Sequence, residues 1–177
     1  MLKTFYFNPY RECTYVLTDD AKHAIIIDAG MYEAREQERF AEHIQKEQLE
    51  VVALLITHAH PDHVCGLEFL EKNYDLKAIV QPIEGPLDIP FFNIQAIATP
   101  GHKEDCVCYY LPEEKILFTG DTLFQESIGR TDLPGGDMGT LIHSLNKLVV
   151  LPDDTQVYPG HGYPTTIGHE KQYNPYI

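Results

Sequence analysis

Clustered basic residues, long apolar runs and paired cysteines are what this chain lacks. Its 177 residues hold 13 Lys and Arg against 27 Asp and Glu, a net charge of −14, and no stretch gathers the basic side chains. Phosphate groups are held by clustered Lys and Arg, so nucleic acid and anionic membranes are not expected as partners. No run approaches 18 consecutive apolar residues, which excludes a transmembrane helix. The opening MLKTFYFNPYRE lacks the apolar centre and small-residue cleavage site of a secretion signal, so a cytoplasmic location is expected. The four cysteines, Cys13, Cys65, Cys106 and Cys108, do not have zinc-knuckle spacing, and reduced, mostly buried thiols are expected. Internal repeats and linkers are also missing, and the length suits one domain over residues 1–177.

What is present reads as strands interrupted by a few helices. TYVLT (14–18) and AIIID (24–28) predict an antiparallel hairpin, and AREQERFAEHIQKEQ a surface helix buried through Phe40, Ala41 and Ile44. VVALLIT (51–57) predicts a strand buried on both faces. GLEFLEKNY (66–74) reads as a helix, LKAIV (76–80) as a strand and the proline-rich segment 81–90 as a loop. NIQAIATP (93–100) reads as a strand, and VCYYL with KILFT as a second hairpin. MGTLIHSLNKLVV predicts a helix with Met138, Leu141, Ile142, Leu145 and Val149 on one face, followed by a last strand at TQVYP (155–159). Such a series points to a mixed α+β layered domain.

The polar motifs sit where the predicted strands end. After VVALLI comes THAHPDH (57–63), with His58 and His60 placed to project to one side and Asp62 and His63 to open the following helix. Three imidazoles and a carboxylate suit Zn²⁺, Fe²⁺ or Mn²⁺ and exceed what one tetrahedral ion takes from protein, so a second ion is suggested. Chance would produce H-x-H-x-D-H on the order of once in a thousand such chains. Three more candidates follow apolar strands, His102 in TPGH, Asp121 in FTGD and His161 in YPGH, each preceded by a glycine able to turn the backbone sharply.

The ordered set of THAHPDH, His102, GDT with Asp121 and GHG with His161 resembles the metallo-β-lactamase superfamily over most of the chain. That resemblance implies a four-layer αββα sandwich with two divalent metal ions, Zn first and Fe or Mn as alternatives, at one edge of the sheets. His58, His60 and His102 would hold one ion, Asp62, His63 and His161 the other, and Asp121 would bridge them. GDTLFQESIGRTDLPGGD (120–137) and the ending GHGYPTTIGHEKQYNPYI are similar to the glyoxalase II (hydroxyacylglutathione hydrolase) branch. The closest likeness is to short bacterial members without a C-terminal helical domain, which is expected to be absent here. β-Lactamases of the commonest zinc type carry a cysteine where this chain has Asp121, which argues against that activity.

The implied reaction is hydrolysis of a small thioester such as S-lactoylglutathione by a metal-bridging hydroxide, with Asp62 and Asp121 as the catalytic carboxylates. Arg130, in SIGR, matches a basic residue that meets glutathione, and Tyr163 a tyrosine that contacts the same ligand. On the residues alone, Arg130 reads equally as a loop side chain paired with Asp132 or Glu126, and Tyr163 as a packing ring. The turn Lys103–Cys106 departs from the small residues usual after TPGH and is expected to change the hydrogen bonding beside His102. Cys65 stands where a glycine is usual and reads first as a small buried thiol, with oxidation sensitivity as the alternative. His23, His43, His143 and His169 read as surface or packing residues. A mononuclear-iron persulfide dioxygenase of the same fold is the alternative function, although YPGHG follows the hydrolase form. A non-catalytic metal binder fits poorly with seven filled ligand positions, and an RNA-cleaving member poorly with the charge.

Overall fold

Residues 1–80 and 84–177 are described by the computed structural model of the chain, and they group into two units. The first comprises Met1–Val80 with Ile89–Phe91, the second Phe92–Ile177 with the described part of 81–88.

In the first unit β1 (Leu2–Phe7), β2 (Glu12–Thr18) and β3 (His23–Ile27) pair antiparallel, while β4 (Glu50–Leu55) lies parallel to β3. Antiparallel neighbours need only tight turns, whereas a parallel neighbour needs a crossover, supplied here by α1 (Ala34–Glu47). Helix α1 buries Phe40 and Ile44 and keeps its charged face in water. The side chain of Glu36 returns to the Glu33 N–H (3.1 Å) at its start, and Gln48 ends it in the left-handed region. The core gathers Phe5, Phe7, Val16, Ile26, Phe40 and Leu54.

After β4 the chain makes a one-turn helix, α2 (Pro61–Val64), then α3 (Leu67–Tyr74). Asp62 and His63 therefore belong to a separate turn begun by Pro61, not to the helix at 66–74. The expected strand at 76–80 reduces to a single parallel bridge between Leu55 and Ile79. The N–H of Ala78 is taken by the Glu71 carboxylate (3.0 Å) and is not free for a ladder.

The second unit contains β5 (Gly85–Ile89, whose last residue falls in the first unit), β6 (Phe92–Ala98), β7 (Val107–Leu111), β8 (Ile116–Gly120), the short pair β9 (Leu123–Phe124) and β10 (Ser127–Ile128), α4 (Met138–Leu148), β11 (Gln156–Pro159), β12 (Thr165–Thr166) and α5 (Ile167–Tyr173). The main sheet runs β12-β11-β8-β7-β6-β5. Within the expected loop at 81–90, residues 85–89 form an edge strand, the position where a sheet tolerates a proline such as Pro86; residues 81–83 lie outside the described residues. Strand β11 is parallel to β8, with α4 as the crossover between them, and the other assigned pairs, β6/β7, β7/β8 and β11/β12, are antiparallel.

The buried face of α4 differs from the expected one. Leu141, Ser144, Leu145 and Leu148 are buried, while Met138 is exposed. The Asp137 carboxylate caps the helix through the Thr140 N–H (2.7 Å), and the Ser144 hydroxyl donates to the Pro100 carbonyl (2.6 Å). A polar residue thus joins the inner face because a loop carbonyl needs its donor.

Helix α5 is fastened through Glu170, fully buried, whose carboxylate accepts from the Thr165 hydroxyl (2.6 Å), the Glu126 N–H (2.8 Å) and the Asn174 amide (2.8 Å). Glu170→Ala leaves three donors without an acceptor and is expected to cost about 3 kcal/mol in urea unfolding. Glu170→Gln, which retains an acceptor oxygen, is expected to cost less.

Candidate metal centre

In the first unit the parallel register of β3 and β4, with Ile27 opposite Leu55, brings the ends of both strands side by side. Asp28 follows β3 and Thr57-His58 follow β4. Asp28 holds a left-handed φ of 62° and is 1% exposed. One of its carboxylate oxygens accepts from the Thr57 N–H (2.7 Å), the other from the Thr57 hydroxyl (2.8 Å) and His63 Nδ1 (2.8 Å). A carboxylate so placed fixes the ring of His63 and makes Nε2 the nitrogen that carries the lone pair, 3.8 Å from Asp62 Oδ2.

The same network sets His58. The single hydroxyl hydrogen of Thr57 goes to Asp28, so the 3.1 Å contact with His58 is donated by His58 Nδ1. His58 Nε2 then presents a lone pair 3.0 Å from His60 Nδ1. The structure thus brings His58, His60, Asp62 and His63 together on one short stretch, with imidazoles oriented before any ion arrives.

Behind His63 lies Glu12, whose ligand atom is within 4.8 Å of those of Asp28 and His63. Both oxygens of Glu12 contact the Thr14 hydroxyl (2.9 and 3.2 Å), and burial holds its carboxyl well above the usual carboxylate range. Gly30 allows this approach, because a Cβ there would stand 1.8 Å from Glu12 Oε2. Neither Glu12 nor Asp28 was among the sequence-based candidates. The available signal for Asp28 was a carboxylate at the end of an apolar strand, whereas Glu12 opens β2.

In the second unit β6, β8 and β11 run in the same direction, since β7 is antiparallel to both β6 and β8 while β11 is parallel to β8. Their carboxyl ends carry His102, Asp121 and His161. Asp121 directs Oδ2 to His102 Nε2 (3.6 Å) and Oδ1 to His161 Nε2 (3.7 Å). His102 donates from Nδ1 to the Arg130 carbonyl (2.6 Å), which leaves Nε2 as its lone pair. Gly101 and Gly120 take φ values of 138° and 49°, as expected for turns before a ligand. At the third motif the positive φ belongs to Gly162 (86°), after His161, while Gly160 instead bonds the Gly120 carbonyl (2.8 Å).

Arg130 acts on His102 through its backbone. Its guanidinium pairs with Asp132 through two 2.7 Å bonds and lies in solvent. Gly129 permits the close approach of this loop, because a Cβ there would meet the Asp121 carbonyl oxygen at 1.9 Å. Tyr163 is 75% exposed, so it is not a packing ring. The turn after His102 closes on itself through Lys103 and Asp105 (2.6 Å), leaving the His102 ring to Arg130. Cys65 is exposed and not buried as expected; partial desolvation still pushes its thiol up to about 11, which keeps it protonated. His23 bonds Asp19 (2.7 Å) and stacks on Phe91, and His169 bonds Glu126 (2.9 Å); His43 packs edge-on against Phe5 and His143 is exposed.

Comparison with known proteins places this geometry. The family model described as the metallo-beta-lactamase superfamily matches residues 10–95 and 87–161. Hydroxyacylglutathione hydrolase GloC of Haemophilus influenzae is 36% identical, with 92% of this chain and 91% of that protein covered. Among solved structures, the BLEG-1 B3 metallo-β-lactamase superposes with a TM-score of 0.90 at 34% identity over 99% of both chains. ETHE1 from Myxococcus xanthus superposes with a TM-score of 0.88 at 30% identity, covering 99% of this chain and 83% of that one. Likeness at this level shows the expected mixed α/β fold. No helix among the described residues is long and apolar enough to cross a membrane.

The orienting network supplies a direct test. Asp28→Ala releases His63 and strands the Thr57 N–H, so the affinity for a divalent ion, measured by competition with a chromogenic chelator, is expected to fall about 10–100-fold.

Proposed function

The chain belongs to the metallo-β-lactamase superfamily, and on that premise we propose that it is a dinuclear metal-dependent hydrolase of a small thioester such as S-lactoylglutathione. The observation that carries the proposal is the pair of carboxylate–imidazole sets at parallel strand ends, in which Asp28, Thr57 and the Arg130 carbonyl each engage Nδ1 of a histidine, His63, His58 and His102 respectively. The donor set is imidazole nitrogen and carboxylate oxygen, which fits Zn²⁺ and equally Fe²⁺ or Mn²⁺. His58, His60 and His102 would hold one ion, and Asp62, His63 and His161 the other. Asp121, with its two oxygens directed at different histidines, would serve both. When bound, two divalent ions supply a nucleophile at neutral pH by lowering the pKa of water and polarise the carbonyl of the substrate.

The remaining work falls to the chain's own side chains. Asp62, half-buried on the first turn of α2, accepts a hydrogen bond from the attacking water and fixes its direction. Water adds to the acyl carbon, the C–S bond breaks, and a carboxylic acid and a thiol result. A thiolate leaves without prior protonation, so no general acid is demanded of the site. Arg130, on the exposed loop after β10, supplies positive charge to an anionic carrier in a chain that is otherwise acidic, exchanging Asp132 for a carboxylate of the ligand. The exposed ring and hydroxyl of Tyr163 offer a second contact to the same carrier.

Two other activities have support among the neighbours. The likeness to ETHE1 favours persulfide oxidation with one iron ion, and the likeness to BLEG-1 favours β-lactam hydrolysis. The similarity to GloC over nearly the full length of both proteins favours the thioester.

Thiol release from S-D-lactoylglutathione, followed with metal content determined on the same sample, tests the proposal. Metal-dependent turnover is expected, and Asp121→Ala is expected to lower it more than about 100-fold with a parallel loss of bound metal. Two bound ions without turnover would overturn the thioester assignment, and one iron with oxygen uptake on a persulfide would replace it. Arg130→Ala leaves the carbonyl that orients His102, so metal content should hold while KM for the anionic thioester rises about tenfold with kcat less changed.

A further inference from the structure

A cleft of about 250 Å³ opens beside Asp62 in the first unit, walled by Pro9, Tyr10, Tyr32, Pro61 and Cys65. Its surface is almost wholly apolar, and no Lys or Arg lines it. Tyr10 and Tyr32, 74% and 67% exposed, both line it. Isolated exposed rings are ordinary; two lining one apolar recess are a binding feature.

The walls are held in place from behind. The turn residue Asn8 accepts from the Tyr10 N–H (3.0 Å) and donates its side-chain amide to the carbonyls of Gly30 and Asp62 (both 3.0 Å). The Glu36 carboxylate accepts from the Asn8 N–H (2.9 Å) through one oxygen and from the Tyr32 N–H (2.8 Å) through the other. Both aromatic residues therefore sit on backbone tied to one network that ends at Asp62. Such a recess admits a ligand without first ordering its walls.

We propose that this cleft is the acyl pocket of the enzyme and that, within the thioester class, it favours substrates whose acyl group is larger and apolar, aliphatic or aromatic, over the small hydroxylated lactoyl group. The inference rests on the hydrolase reading, since Asp62, one of the proposed ligand residues, also lines the cleft. A carboxylate or ammonium group would lose its hydration there and find no partner, whereas methylene or phenyl carbon gains by leaving water. The polar carrier is thus excluded from the cleft, and the acyl chain selected by it.

Glutathione thioesters that share one carrier and differ in the acyl group, acetyl, hexanoyl and phenylacetyl, test this with wild type and the Tyr10→Ala/Tyr32→Ala double variant. In wild type kcat/KM for hexanoyl is expected to exceed that for acetyl about tenfold, mainly through KM. The ratio should fall toward one in the alanine double variant and survive in Tyr10→Phe/Tyr32→Phe, which keeps both rings. A flat wild-type series, or a preference that persists without the rings, overturns the acyl pocket while leaving the hydrolase reading intact. Absence of hydrolysis even of the acetyl ester overturns the hydrolase reading. In that event calorimetric binding of S-hexylglutathione against S-methylglutathione decides the cleft: tighter hexyl binding lost with the rings supports an apolar ligand site, and equal binding overturns it.

Discussion

Parallel pairing of two strands that both end in polar residues is the constraint on which the candidate centre depends. In a parallel pair the carboxyl ends lie side by side, so whatever follows each strand meets its neighbour. Strands β3 and β4 bring Asp28 to Thr57 and His58, and β8 and β11 bring Asp121 to His161. An antiparallel pair of the same sequences would send these residues to opposite ends. Helices α1 and α4 earn their place as the crossovers that parallel pairing requires.

The histidines are then controlled at one remove. His63 is oriented by Asp28, His58 by Thr57 and His102 by the carbonyl of Arg130. Each bond settles which ring nitrogen carries the proton, and so which one carries the lone pair. Ordering these rings beforehand removes an entropy cost from ion binding, and burial of the network makes every unmade bond expensive. Glycines appear where this crowding is worst. Gly30 lies against the Glu12 carboxylate and Gly129 against the Asp121 carbonyl, approaches that no Cβ would survive.

A shared fold leaves the substrate open. Chains this similar include a protein named for β-lactam hydrolysis and one named for hydroxyacylglutathione hydrolysis, so discrimination must come from what surrounds the candidate ligands. The first unit carries an apolar recess lined by Tyr10 and Tyr32, and the second carries an arginine paired with Asp132.

The candidate ligands could be picked out in the sequence, because their types and short spacings are local. THAHPDH needs no tertiary contact to be read as a ligand cluster, and TPGH, FTGD and YPGH announce themselves by glycine after an apolar strand. Most strands and helices were legible for the same reason, since alternation and helical spacing are properties of neighbours along the chain. The misreadings came where a distant atom intervened. Segment 85–89 forms a strand because an edge position tolerates Pro86, and α4 turns Ser144 inward to reach the Pro100 carbonyl. Asp28 read only as the last residue of the strand AIIID until strand register set it against Thr57 and His63. Arg130 was noticed for its side chain, although its carbonyl holds His102. Residue type and spacing are written along the chain, so the sequence by itself determined which groups are available for chemistry. Register and the direction of backbone carbonyls arise only from long-range pairing, and so the tertiary structure alone decided how those groups are aimed.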